Sequence, residues 1–535
     1  MARFRNVLFI LALASALAMA HSAHGRGQDA GHPSGVIVDN FAPPAIDHGL
    51  VESVSRAPDS YESRIRASIR VEGGPPERIG ASGARYVAGK LIVKFRAGTS
   101  SAARVSALST MSARAATQPP YANFDIVSID PGEDAEAAAR AIASRPDVEY
   151  AQPAYRCHTQ FTPNDTEFGK QWNLRDIGME AAWDIQPDAG SSIVVAVLDT
   201  GVAYTNVTMR YHANAFRIDS DEFVTNDPRF PLYPSLGDLT LPFVAATELG
   251  ASSRFVAPRD FIWDGNMPID LDGHGTHVSG TIGQVTNNST GTAGVAFNVK
   301  LMPVKVLDSN WDDIFGSPNQ GTDDVVARGI RYAADNGAKV INMSLGRTGP
   351  AAPAIEDAIK YAVGKGAFVA IAAGNEFEDG NATEVIAEIA SRVQGAVAVG
   401  AIDQSHNRAY YSSSGSWVEL AAPGGSFRGF LNEGGILQQT LDFRVIETYL
   451  STPARLIPPH FDVLAYFYFI GTSQATPHVS GVAAMLMQQG ITSPAAVEAA
   501  LEKFATDRGT AGRDNDFGFG EINARNTLRG LGLAK

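Results

Sequence analysis

The stretch GTSQATPHVSGVAAMLMQQ, residues 471–489, sets a serine in a tight Gly-Thr-Ser step directly before an apolar run. Val479, Val482, Ala483 and Leu486 recur at helical spacing, so the run predicts a buried helix. A serine at such a helix start is an ordinary N-cap. The same place also exposes a hydroxyl to converging backbone N–H groups. The rest of the chain decides between the two readings.

Working outward from that helix, residues from about 161 read as strands alternating with helices. SIVVAVLD (192–199), KLMPVKVL (300–307), AKVINMSL (338–345) and AFVAIAAG (367–374) are near-continuous apolar strands. TDDVVARGIRYAADNG (322–337) and AIEDAIKYAVGKG (354–366) are helices between them. Apolar strands joined through helices predict an α/β fold whose parallel sheet is covered by helices on both faces. Ligand sites in such sheets lie at the carboxyl ends of the strands.

Upstream, KLIVKF (90–95), FDIVSI (124–129) and VEYA (148–151) read as strands. SAARVSALSTM (101–111) and DAEAAARAIASR (134–145) read as helices. This predicts a small α+β unit of the ferredoxin-like kind. Residues 21–85 are rich in Gly, Pro, Ser and charge and are expected to be a poorly ordered linker. At the start, Arg3 and Arg5 precede the apolar stretch Val7 to Leu17, which ends in Ala18-Met19-Ala20. That is the pattern of a signal peptide, residues 1–20, and it predicts a secreted protein with no membrane anchor after signal removal.

The chain of 535 residues carries a formal net charge of -14 and no Lys/Arg-rich run, which argues against nucleic-acid binding. Cys157 is its only cysteine, so no intrachain disulfide forms.

Four residues then fall at strand ends or helix starts of one α/β unit. Asp199 ends VVAVLD, His274 stands in DGHGTHVSGTIG (272–283), Asn375 ends AIAAGN, and Ser473 opens the helix of 471–489. A serine hydroxyl is a weak nucleophile that needs an imidazole to take its proton and a carboxylate to orient that imidazole. The oxyanion that follows needs donors, here the Ser473 backbone N–H and the Asn375 amide. His274 and His277, three apart, also suit a shared metal, but a third ligand and the Glu of a zinc-protease motif are missing. No G-x-S-x-G elbow occurs, which argues against an α/β-hydrolase esterase.

With these residues in place, the sequence resembles the subtilisin-like serine proteases, the subtilases. The motifs are VLDTG around Asp199, HGTHVSG from His274, SLG at 344–346, AAGN ending at Asn375 and GTSQATPHVSG around Ser473. The likeness spans roughly 161–525 and is nearest to thermitase-like members through TPNDTEFGKQW (162–172) and TNNSTGTAG (286–294). It implies a catalytic domain over 161–535 with Asp199 orienting His274, His274 as general base then acid, Ser473 as nucleophile and Asn375 in the oxyanion hole. Ser344, Leu345 and Gly346 would pair with the backbone of an extended polypeptide substrate. His277 would be structural. The unit at 86–160 resembles the inhibitory propeptide that such a protease removes from itself, with cleavage expected near Gln160–Phe161. The mature enzyme is expected to be a monomer without organic cofactor. An ordinary histidine near 6.5 implies activity falling around pH 6–7.

The resemblance also implies a structural calcium ion held by Asp165, Asn288 and the carbonyls of Val285, Thr290 and Thr292. The second aspartate the family usually adds is replaced by Thr208, which weakens the expectation. Gln474 stands where relatives carry methionine. Two insertions, 204–262 and 425–470, connect catalytic strands and either rim the cleft or decorate the surface. Two other readings remain open at this point: an inactive subtilase-fold binding protein, and a narrowly selective processing protease, for which Glu376 beside Asn375 favours a basic residue in the pocket.

Overall fold

The computed structural model describes residues 77–79, 85–110, 113–156, 161–220, 222–430, 432–448 and 456–530. The expected signal peptide, most of the expected linker, Cys157 and Gln160 lie outside them. The described residues divide into two units, 77–156 and 161–530.

In the first unit, strands β1 (Glu77–Ile79), β2 (Arg85–Phe95), β3 (Ala115–Thr117), β4 (Asp125–Ser128) and β5 (Val148–Tyr155) form one antiparallel sheet. Its order is β1-β2-β4-β3, with β5 also paired to β2. Helices α1 (Ser101–Ser109) and α2 (Ala135–Ala143) follow β2 and β4. The arrangement β5-β2-β4-β3 is the ferredoxin-like one the sequence predicts. Ser100 and Asp134 cap the two helices through side-chain acceptors. Leu91, Val93, Val127, Ala107 and Ile142 form the core. The expected linker is shorter than 21–85, because residues 77–79 pair with β2.

In the second unit, β6 (Val194–Asp199), β7 (Lys300–Lys305), β8 (Val340–Met343), β9 (Phe368–Ala372), β10 (Ala396–Ile402) and β11 (Leu420–Pro423) form a parallel sheet. With the edge strand Arg259–Asp260 it has seven strands in the order 259-β7-β6-β8-β9-β10-β11. Alternate residues feed opposite faces. Val195 and Val197 pack on one side with helices α3 (His274–Gly283) and α6 (Thr472–Gln488). Ala196 and Leu198 pack on the other with α4 (Asp323–Asp335) and α5 (Pro353–Gly364). Burial on both faces is why these strands read as apolar runs rather than alternating ones.

Each insertion contains a long antiparallel strand pair, Val207–Ala213 with Gly237–Phe243 in the first, and β12 (Ile436–Leu441) with β13 (Leu464–Phe469) in the second. The second packs on α3. Its carbonyls at Ile436 and Phe467 lie 2.9 and 3.3 Å from His277 Nε2, and the Phe469 ring stacks on the imidazole at 4.2 Å.

Candidate active site

Asp199 ends β6 and is fully buried. Its Oδ1 accepts the Thr200 N–H at 2.8 Å and lies 2.7 Å from His274 Nδ1. The approach is close because the intervening residues are small. A Cβ on Gly275 would overlap the Gly201 carbonyl, and Gly201 itself adopts φ 118°, where a Cβ would lie 2.6 Å from the Ile269 carbonyl oxygen.

His274 begins α3, and the helix start is built on a buried acid that the motif reading passed over. Asp270 Oδ1 accepts from Asp272 N at 3.0 Å and Gly273 N at 2.8 Å, and its Oδ2 from Thr276 N at 3.0 Å. The Thr200 hydroxyl donates to Asp270 Oδ1 at 3.0 Å and accepts from Gly275 N at 3.0 Å. This satisfies N–H groups that a helix start otherwise leaves open. Beneath it, the buried Lys305 ammonium donates to the Thr200 carbonyl at 2.7 Å and to Asp312 Oδ2 at 2.8 Å.

Burial alone would pull the His274 pKa down. The Asp199 charge and hydrogen bond, followed by the charges of Asp272 and Asp270, outweigh it and raise the group to about 9. His277 shows the opposite balance: burial, then repulsion from His274, drops it to about 3. It is a neutral ring locked against the β12–β13 pair. The two histidines are engaged apart: His274 Nδ1 by Asp199 and His277 Nε2 by the Ile436 carbonyl.

Ser473 lies in the first turn of α6. Pro477 sits in that helix and lacks the N–H that would bond the Ser473 carbonyl. The Ser344 hydroxyl takes its place and donates to that carbonyl at 2.7 Å. The Ser473 hydroxyl donates to the Ser344 carbonyl at 3.2 Å. Asn375 Oδ1 accepts from Thr472 N at 2.9 Å and Thr472 Oγ1 at 3.0 Å, so the NH2 is the donor end of its amide. His274, Ser473, Asn375 and the 344–346 segment line one cleft of about 310 Å³. Engagement of His274 by the serine hydroxyl requires that hydroxyl to leave the Ser344 carbonyl.

The insertions part company here. Phe223 of the first lines the cleft, together with Leu307 and Asp308. Among the described residues, none of 425–470 does; that insertion braces the helix carrying His274 from behind.

At the expected calcium site, Asp165 Oδ2 accepts from Asn287 N at 2.7 Å and Oδ1 from Asn288 N at 3.3 Å. Asn288 Oδ1 accepts from Thr290 N at 2.9 Å. Val285 and Thr292 flank the same loop, while Thr208 sits on the strand pair of the first insertion, opposite Pro242. Burial raises the Asp165 pKa, and only backbone N–H groups oppose it. A bound cation would relieve that cost, and oxygen-only donors fit calcium.

A model of the Subtilase family matches residues 190–520, and one of the Fervidolysin N-terminal prodomain matches residues 76–154. The thermophilic serine proteinase of Bacillus sp. (strain AK1) is 30% identical over 449 residues, 83% of this chain and 88% of that protein. The extracellular protease of Xanthomonas campestris is 32% identical over 388 residues, 70% and 58% of the two chains. Thermitase of Thermoactinomyces vulgaris is 32% identical over 365 residues, 68% and 98%.

Proposed function

The chain belongs to the subtilase family of serine proteases, and from that premise we propose a secreted endopeptidase acting through Asp199, His274 and Ser473. The observation that carries this reading is the 2.7 Å contact between Asp199 Oδ1 and His274 Nδ1 in the cleft that also holds Ser473 and Asn375.

The Nδ1–H bond to Asp199 fixes the tautomer that leaves Nε2 as base. Nε2 takes the Ser473 proton as Oγ bonds to the scissile carbonyl carbon. The oxygen becomes an oxyanion, which the Ser473 N–H and the Asn375 NH2 stabilise. The same proton then passes to the leaving amine as the C–N bond breaks. Water, deprotonated by His274, releases the acyl group and restores the serine. Ser344, Leu345 and Gly346 hold the substrate backbone as an added strand.

Residues 1–20 are a signal peptide that directs export. Residues 86–160 are an inhibitory propeptide, which the match of residues 76–154 to a prodomain supports. Cleavage near Gln160–Phe161 yields a mature domain, 161–535, without cysteine. Asp165, Asn288 and the carbonyls of Val285, Thr290 and Thr292 hold one calcium ion weakly, because a single carboxylate contributes. The mature enzyme works as a monomer. The test is Ser473→Ala: hydrolysis of casein is lost while the circular dichroism spectrum is retained. Undiminished hydrolysis by this variant would refute the reading.

A further inference from the structure

The pocket beside Ser473 carries two carboxyl groups on its walls, Glu376 and Glu384. Both follow β9 on the loop that bears Asn375. Glu384 is only 1% exposed. Its Oε1 accepts from the backbone of Arg347 at 2.5 Å and of Ile386 at 3.3 Å. Glu376 Oε2 accepts the Ser413 hydroxyl at 3.1 Å.

Two glycines hold this arrangement open. A Cβ on Gly374 would lie 2.5 Å from Glu376 Oε2 and 3.2 Å from Glu384 Cβ. A Cβ on Gly346 would lie 2.8 Å from each Glu384 carboxyl oxygen. The acids therefore meet around one small space with no side chain between them. That space lies against the segment that carries the substrate backbone and against the serine that attacks it. The substrate side chain it receives belongs to the residue whose carbonyl is attacked.

The electrostatics of the pocket are one-sided. Burial, reinforced by the Glu376 charge, raises Glu384 to about 8, and burial raises Glu376 as well. Arg347, whose charge offsets part of the Glu384 shift, turns its guanidinium to Asp323, at 2.7 and 2.6 Å. Asp272, Asp308 and Asp379 also line the cleft, and among the described residues no lysine or arginine does. Carboxyl groups withdrawn from water beside a cation already engaged elsewhere are costly. A cation delivered by the substrate removes that cost, and it does so only for substrates that carry one.

We propose that Glu376 and Glu384 together receive a lysine or arginine side chain, so that the enzyme cleaves after basic residues. This rests on the protease reading above. It goes beyond that reading by naming the substrate class and adding Glu384 as a residue that sets it. A planar guanidinium suits two carboxyls better than an ammonium, so arginine should exceed lysine.

The test uses the mature enzyme and peptides that differ only in the residue before the scissile bond: arginine, lysine, leucine or glutamine. The expected result is kcat/KM at least about tenfold higher for arginine than for leucine. Glu376→Gln and Glu384→Gln should each lower the arginine-to-leucine ratio by about tenfold. Agmatine, a small guanidinium compound, should inhibit competitively, more weakly in both variants. Should Glu384→Gln fail to fold, Glu376→Gln and agmatine carry the test. Leucine peptides cut as well as arginine peptides by the wild type would overturn this inference and leave the protease reading standing. Equal effects of the variants on both peptides would also overturn it, by reducing the acids to structural groups. Hydrolysis of no peptide would overturn both.

Discussion

Ser344 and Ser473 exchange hydrogen bonds: the Ser344 hydroxyl donates to the Ser473 carbonyl at 2.7 Å, and the Ser473 hydroxyl donates to the Ser344 carbonyl at 3.2 Å. The first bond is needed because Pro477 cannot serve that carbonyl. It fastens the 344–346 segment to the first turn of α6. Ser344→Ala leaves the carbonyl without its partner, at a cost of about 1–3 kcal/mol. Urea unfolding in a Ser473→Ala background, which prevents self-digestion, measures this. Unchanged stability would mean that the bond contributes nothing.

On the proposed mechanism, Asn375→Leu removes a side-chain donor to the oxyanion. The expected loss in kcat is roughly 10²–10³, the size known for one such donor in subtilisin itself rather than a value derived from this chain. KM should change little, since the donor acts on charge that develops only in the transition state. Turnover near wild type would remove Asn375 from the oxyanion hole.

Acid sensitivity should differ from that of an ordinary histidine. With His274 raised to about 9, its protonated form is the one the folded protein favours. That stabilisation is complete below the unfolded value near 6.5 and is lost as pH rises through about 9. The base needed for catalysis appears over the same rise. The acid limb of kcat/KM is therefore expected above pH 6.5, toward 9, rather than at 6–7 as the sequence alone implied. Asp272→Asn should move it down by removing one of the charges that raise His274. A limb at 6.5 that Asp272→Asn leaves in place would contradict this.

Much of this site was legible because its residues sit in short motifs at strand ends. Asp199, His274, Asn375 and Ser473 each close or open an element whose periodicity is plain. Asp270 and Glu384 were not legible. A carboxylate in a loop reads as solvated, and only the fold reveals that one binds a helix start and the other lies 1% exposed in a pocket. The segment holding β12 and β13 was read as one undivided insertion. Its apolar run VLAYFYF (463–469) carries a strand whose partner lies across a long connection, a pairing that did not follow from sequence. The His274 shift also needed the fold, since it sums charges from three separate carboxylate positions and burial.

Calcium should stabilise the mature enzyme modestly. At ten times its dissociation constant, an ion bound only by the folded state adds about 1.4 kcal/mol. EDTA should lower the melting temperature of the Ser473→Ala chain, and Asp165→Asn should abolish that effect. No shift with EDTA in the unsubstituted loop would show that Asp165 holds the loop through its backbone N–H bonds alone.

The central claim is that Ser473 is the nucleophile of a self-processing protease, and intact mass after treatment with a serine-directed phosphonate fluoride tests it most directly. The account predicts a wild-type chain beginning within a few residues of Phe161, carrying a single phosphonate adduct that peptide mapping places on Ser473, with activity lost in proportion. The Ser473→Ala chain should take up no adduct and retain residues 86–160. An adduct on another residue accompanied by full loss of activity, or a fully adducted Ser473 with activity intact, would contradict it.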